Sequence, residues 1–216
     1  MAWSKFNYAG VDLNQAFVNF GNGIVSRDSR RMGRVKYLCT SAEIFLSELR
    51  FYTGGTALIM INFPSPYRLS VTGSGNSQLP TMNANQFMVT KEILELISRL
   101  LSKSDDIGGE SFFLFQTKCE DVAVLVKNEC LALGTLEPVL CKNPMKDIDI
   151  QYENRGKRPK REDDWLAAAP FAERAEGTMY SSTPLLPTVG HPETEVQCSH
   201  ENYVVHRFLF RRKCFI

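Results

Sequence analysis

Thr56-Ala57-Leu58-Ile59-Met60-Ile61-Asn62-Phe63 is an unbroken, mainly apolar run, stopped by Pro64-Ser65-Pro66. A run this short, closed by proline, reads as a β-strand covered on both faces, because a half-exposed strand alternates polar and apolar residues. Four other stretches read the same way: Phe6–Leu13 (FNYAGVDL), Val35–Cys39, Ser111–Gln116 (SFFLFQ) and Tyr203–Phe210 (YVVHRFLF). Segments of helical periodicity separate them. Residues 14–24 carry Phe17, Phe20 and Ile24 on one face, and 42–52 turn Ile44, Phe45, Leu46 and Leu49 inward. Residues 87–101 present Ile93, Leu94, Ile97, Leu100 and Leu101, and 119–133 present Val122, Leu125, Val126 and Cys130. Gly54-Gly55 and Gly108-Gly109 punctuate the series. Strand and helix in strict alternation predict an α/β fold with a doubly wound, mostly parallel sheet.

Two stretches break the alternation. Residues 68–86, rich in Ser, Gly, Asn and Thr, predict a long loop, a feature that in a compact domain is functional or disordered. Residues 143–190 contain the charged run Arg155–Asp164 and the Ser/Thr/Pro-rich run Ser181–Pro187, and read as a solvated, partly disordered insertion. The expected organisation is a core over 1–142, a charged insertion over 143–190, and over 191–216 the last strand of the core with a basic tail.

A net charge of +1 over 216 residues supplies no overall attraction to nucleic acid or membrane, so any RNA affinity must come from local patches. No apolar run approaches the length of a membrane helix. The N-terminus has neither the charge pattern of a secretory signal nor an arginine before Arg27, so it is a poor transit peptide. The six cysteines show no C-x-x-C spacing and fall in or beside apolar stretches. Reduced thiols in an intracellular, reducing compartment, cytoplasmic or mitochondrial, are expected. His191, His200 and His206 lack metal-ligand spacing, and no metal is expected.

Five segments, taken in order, resemble the tRNA guanine-7 methyltransferases. Tyr8-Ala9-Gly10-Val11-Asp12 is similar to the family's second strand, F-I-G-I-E, whose terminal carboxylate holds the ribose hydroxyls of S-adenosylmethionine. Val35–Glu43 resembles the third strand and its adenine-contacting turn, with Ser41-Ala42 where the family has D-A. Asn62-Phe63-Pro64-Ser65-Pro66-Tyr67 resembles the F-P-D-P-W signature and is the most specific match. Gln116–Ala123 aligns with T-D-W-E-x-Y-A, and His191–Gln197 with R-P-x-T-x-F-E. The resemblance implies a methyltransferase-type sheet. It implies cofactor-side positions at Asp12, Ser41, Ala42, Asn62 and Pro64, and target-side positions at Ser65, Tyr67, Thr117, Lys118, Glu120, Thr194 and Gln197.

The departures bear on activity. Five residues precede Phe6, so the family's first strand and its Gly-rich cofactor turn have no counterpart, and the resemblance implies a sheet incomplete at its N-terminus. Gly21-x-Gly23 follows a helical segment and does not replace that turn. Ser65 and Lys118 stand where the family has aspartates, and Gln197 where it has a glutamate. The basic run after the signature is reduced to Arg68, since Leu69–Pro80 holds no basic residue. Local structural roles are the simpler expectation for several positions: Asp12 capping the next helix, Thr117 and Glu120 as helix cap and first-turn acid, and Pro64-Ser65-Pro66 as a rigid reversal. RNA-contact candidates are Arg30, Arg31, Arg34, Arg68, Arg211, Arg212 and Lys213, with Lys157–Arg161 and Arg207 in the same basic groups.

The expectation is a non-catalytic methyltransferase-like subunit with no bound cofactor. It would act as an RNA- or protein-binding scaffold in a ribonucleoprotein assembly, with ribosome biogenesis a setting drawn from the family's habits. Its partners would be rRNA or tRNA and other protein subunits, without a membrane. The rival expectation is an active tRNA guanine-7 methyltransferase that uses S-adenosylmethionine and takes its first strand from upstream sequence or a partner chain.

Overall fold

Parallel strands need a crossover long enough for a helix, and each parallel pair in this chain has one. The computed structural model describes residues 6–52, 55–64, 87–101, 110–145, 175–185, 193–201 and 204–213. Among them the order is β1 (Tyr8–Asp12), α1 (Gln15–Ser26), β2 (Val35–Cys39), α2 (Ala42–Leu49), β3 (Leu58–Asn62), α3 (Lys91–Leu100), β4 (Phe112–Thr117), α4 (Glu120–Ala132), β5 (Leu136–Pro138), β6 (Pro144–Met145), β7 (Gly177–Ser181), α5 (Glu193–Glu201) and β8 (His206–Arg212). The chain divides into two compact units, Met1–Thr53 and Gly54–Ile216.

In the first unit β1 and β2 form a two-stranded parallel sheet, in register from Tyr8 opposite Val35 to Asp12 opposite Cys39. Asn14 caps α1 by accepting from Ala16 N at 2.9 Å, and Ser41 caps α2 by accepting from Ile44 N at 3.2 Å. The outer edge of β2 is closed by a side chain rather than a strand. Asn22 of α1 donates from Nδ2 to Tyr37 O and accepts from Tyr37 N through Oδ1, both at 2.9 Å. The Tyr37 ring is wedged between two glycines. A Cβ on Gly10 would lie 2.6 Å from its Cδ1, and one on Gly21 2.8 Å from its Cδ2. Gly21 thus has a packing duty. Val18, Val25 and Leu46 are buried, whereas Ile44, expected to point inward, is 58% exposed.

The second unit contains a six-stranded mixed sheet, ordered β3-β4-β8-β7-β6, with β5 also on β8. Strands β3 and β4 are parallel, joined through α3. Strand β8 runs antiparallel to β4, from Phe112 opposite Arg211 to Thr117 opposite His206. Its other edge is divided, with Ser181 of β7 opposite Arg207 and Leu136–Pro138 of β5 opposite Arg212–Phe210. Phe113 lies opposite Phe210 and Phe115 opposite Phe208, so these four rings share one face. Phe115 and Phe208 stack at 5.0 Å, and Tyr180 meets Phe208 edge-on at 6.0 Å. All five rings are at most 1% exposed. Pairs of this kind contribute about 0.5–1.5 kcal/mol each beyond the burial itself. Helix α4 packs across β4, β5 and β8 and meets α3, whose Ile93, Leu94 and Ile97 form its buried stripe.

All five strands and four helices expected from the sequence are present to within a few residues, and the α/β class holds. The sheet differs in two respects from a single, mostly parallel one. The strands fall in two sheets, and β8 is antiparallel to its three partners β4, β5 and β7. The direction of β8 has a simple origin. The chain leaves β7 at Ser181 and β8 starts beside it, so the connection returns at the end of the sheet from which it departed. Residues 175–185 also depart from the solvated insertion expected there: β7 is a sheet strand, with Ala175, Tyr180 and Ser181 buried. A short, polar strand carries little hydrophobic signal, and its burial is imposed by β8. Pro144–Met145 of the same stretch forms β6, with Met145 buried, whereas residues 146–174 and 186–190 and the loop at 68–86 lie outside the described residues.

Substituting Gly10 by alanine will destabilise the first unit by about 1–3 kcal/mol, because the ring cannot retreat with Gly21 on its far side. Hydrogen exchange at β1 and β2 measures this loss. Adding Tyr37→Ala to Gly10→Ala should remove the clash, making the two effects non-additive.

Candidate functional site

In open α/β sheets, ligand crevices form beyond the carboxyl ends of parallel strands. In the second unit that end brings together Asn62, Phe63 and Pro64 after β3, Gln116 to Glu120 after β4, and His206 and Arg207 at the start of β8. Phe63 has φ 51°, the left-handed region that a residue preceding proline rarely enters. Such a conformation costs on the order of 1–3 kcal/mol. It is held by the hydrogen bond from Phe63 N to Gln116 O at 2.8 Å and by burial of Pro64.

Behind this turn lies a buried polar layer: Gln116, Thr117, Glu120, Ser181, Glu195, His206 and Arg207 are each at most 7% exposed. The Arg207 guanidinium donates to Glu195 Oε1 from Nη2 at 2.6 Å and from Nε at 3.2 Å, and from Nη1 to Val205 O at 3.1 Å. This pair ties α5 to β8. Glu120 Oε1 accepts from Ala175 N at 3.1 Å and so anchors the chain just before β7. Thr117 Oγ1 accepts from Cys119 N at 3.1 Å. The N-cap of α4 is Cys119 rather than Thr117, and Glu120 in its first turn faces the interior. The Asn62 amide and the Lys118 ammonium face solvent at this end. Thr194 is half-buried and Gln197 exposed on α5.

In the first unit, Asp12 is exposed at the end of β1 and its Oδ1 accepts from Asn14 N at 2.7 Å. Asn14, not Asp12, caps α1 directly; Asp12 positions that cap. Ser41 is spent on capping α2, and Ala42 is half-buried at its first position. Ser65, Tyr67 and Arg68 lie outside the described residues, as do Lys157–Arg161.

The basic candidates divide in two. Arg30 and Arg31 share Asp28, with Arg30 Nε at 3.1 Å from Oδ1 and Arg31 Nε at 3.2 Å from Oδ2. The hydrogen bond from Arg30 holds the Asp28 carboxyl below its usual range. Arg30 remains 87% exposed and Arg34 is exposed, so this stretch stays open to a ligand. Arg211, by contrast, bridges Glu137 at 2.7 Å and Glu110 at 2.5 Å, and Arg212 Nη1 donates to Leu101 O at 3.3 Å. Of the C-terminal group Arg211, Arg212 and Lys213, only Lys213 is exposed, its backbone N–H donating to Thr135 O.

Cys39, Cys130 and Cys141 are free thiols, and burial pushes those of Cys130 and Cys141 upward. Among the described residues no group of three His, Cys, Asp or Glu side chains is placed to hold a metal, and no helix is long and apolar enough to cross a membrane. Gln116, Ser181, Glu195 and His206 have no site role in the sequence reading, and of these Glu195 and His206 could have been found. Their signal is present in Tyr203–Phe210, where a histidine and an arginine inside an apolar strand require buried partners. No protein-family model and no curated protein matches this chain.

Replacing Glu195 by alanine leaves Arg207 charged and buried, and should lower stability by about 3–5 kcal/mol in urea unfolding. Replacing both by methionine removes the uncompensated charge, and should bring stability back to within about 1–2 kcal/mol of the parent.

Proposed function

We propose that this chain is a non-catalytic methyltransferase-like subunit. It serves as an RNA- or protein-binding scaffold within a ribonucleoprotein assembly, and ribosome biogenesis is a setting consistent with that ancestry. The observation that carries this reading is the employment of the positions matched to cofactor and target. Asp12 holds the cap of α1, Ser41 caps α2, Thr117 fixes the turn before α4, and Glu120 anchors the approach to β7. Each of these oxygens serves the backbone, as it would in a fold kept for its shape after its chemistry was lost. Ser65 and Lys118, where the family has carboxylates, point the same way. The parallel β3–β4 pair with its α3 crossover is compatible with a methyltransferase-type sheet.

One observation favours the rival reading, an active S-adenosylmethionine-dependent RNA methyltransferase. Phe63 is strained at the most family-like motif, and strain of this kind gathers at ligand sites. Methyl transfer to guanine N7 also depends more on proximity than on a strong base. The scaffold reading ranks higher because it accounts for four positions rather than one.

The exposed basic stretch around Arg30, Arg31 and Arg34 is the best RNA-contact candidate, whereas Arg211 and Arg212 serve the protein's own interior and edges. A tRNA transcript should bind with a marked salt dependence. The triple change Arg30→Ala, Arg31→Ala and Arg34→Ala should reduce the slope of log K against log salt by up to about 3. Arg211→Ala should instead lower stability and leave that slope unchanged. Incubation of the chain, tRNA and methyl-labelled S-adenosylmethionine should leave the RNA unlabelled. Label at guanine would establish the rival, and salt-independent or absent RNA binding would remove the RNA half of the proposal.

A further inference from the structure

Among the described residues, strand β3 (Leu58–Asn62) is an edge strand of its sheet that carries none of the usual protection along its length. Its ladder to β4 uses alternate residues: Ala57 O accepts from Phe112 N at 3.0 Å, and Phe63 N donates to Gln116 O at 2.8 Å. By that alternation Ile59 and Ile61 face β4, and the amides and carbonyls of Leu58, Met60 and Asn62 point away from it. No described strand pairs with that side. The bridge between Thr56 and Leu101 closes one end, and Pro64, which has no N–H, closes the other. Edge strands ordinarily carry a charge, a proline or a bulge that prevents pairing with another chain. Leu58-Ile59-Met60-Ile61-Asn62 has no charge and no proline, and its register with β4 is unbroken.

We propose that this edge is a self-association surface, on which two copies of the chain pair antiparallel through β3 about a twofold axis at Met60. The order of residues selects a second copy as the occupant. Ile59-Met60-Ile61 reads the same in both directions, so an antiparallel pair centred on Met60 is self-complementary. Met60 exchanges both backbone hydrogen bonds with its counterpart, and Leu58 does so with the counterpart of Asn62. Every outward amide and carbonyl of β3 then gains a partner. Ile59 faces the counterpart of Ile61 across the axis, an apolar cross-strand pair, and no like charges meet. Met60, 43% exposed in the single chain, becomes the centre of the contact. A register shifted by one residue would offer the amides already committed to β4. The inference stands on this edge alone and does not require methyltransferase ancestry.

The full chain, sedimented at concentrations up to about 100 μM, should show a reversible monomer–dimer equilibrium. Amide exchange at Leu58, Met60 and Asn62 should slow as the dimer forms. Met60→Pro removes an outward N–H and leaves the ladder to β4 intact. Met60→Lys sets two like charges against each other at the axis. Either change should weaken dimerisation at least about tenfold, with the circular dichroism and melting of the monomer preserved, while Met60→Leu should behave as the parent. Proline also fixes the backbone φ, and that alone can keep the proline variant from folding. The lysine variant then decides the dimer independently. A monomer at every concentration overturns the proposal. So does a dimer indifferent to Met60→Lys, which would use another surface. Protection of the three amides in a monomer would likewise overturn it, by showing that another strand already occupies the edge.

Discussion

The pairing of β4 with β8 is the constraint on which the second unit depends. Strand β4 has a parallel neighbour on one side and an antiparallel neighbour on the other, and five of its six residues are buried. One register places Phe113 and Phe115 against Phe210 and Phe208, and the same register places Gln116 against Arg207 and Thr117 against His206. A slip of one residue would move the phenylalanines to the opposite face and separate the polar groups at the sheet's end. The aromatic core and the buried polar layer are thus consequences of a single alignment.

That layer shows that the buried polar groups at the carboxyl end of the sheet are engaged by the protein itself. Arg207 and Glu195 satisfy one another inside the fold, and Glu120 is turned toward the backbone of Ala175. Buried charges arranged in this way cost a great deal to break and add little net stability over an apolar filling. Their value lies in position: they fix α5 and the approach to β7 on a sheet whose outer strands are short. The first unit uses a comparable device, with the Asn22 amide closing β2 where a further strand would otherwise be needed.

Much of the fold was legible in the sequence, because strands covered on both faces write themselves as continuous apolar runs. Leu58–Asn62 and Phe112–Thr117 are of this type. The starts of α1, α2 and α3 coincide with Asn14, Ser41 and Thr90, residues whose side chains accept a hydrogen bond from the first helical turn. Other features leave little trace. Strand direction is set by where a connection re-enters the sheet, so β8 gives no local sign of running antiparallel. Gly177–Ser181 is short and half polar, and only the neighbouring strand makes it β7. At the site, the matched positions Asp12, Ser41, Thr117 and Glu120 were visible as residue types, and structural duty was an expectation for Asp12, Thr117 and Glu120 alone. The partner of Glu120 was not visible, because it is the backbone of Ala175, distant in sequence. The engagement of Arg211 by Glu110 and Glu137 was hidden for the same reason.

The central claim is that the positions matched to cofactor contacts now serve the fold instead. An isothermal titration of the full chain with S-adenosylmethionine tests it most directly. The account predicts no saturable heat at cofactor concentrations up to about 1 mM, equivalent to a binding free energy weaker than about −4 kcal/mol. A saturable isotherm with a micromolar dissociation constant, lost on Asp12→Ala, would contradict it.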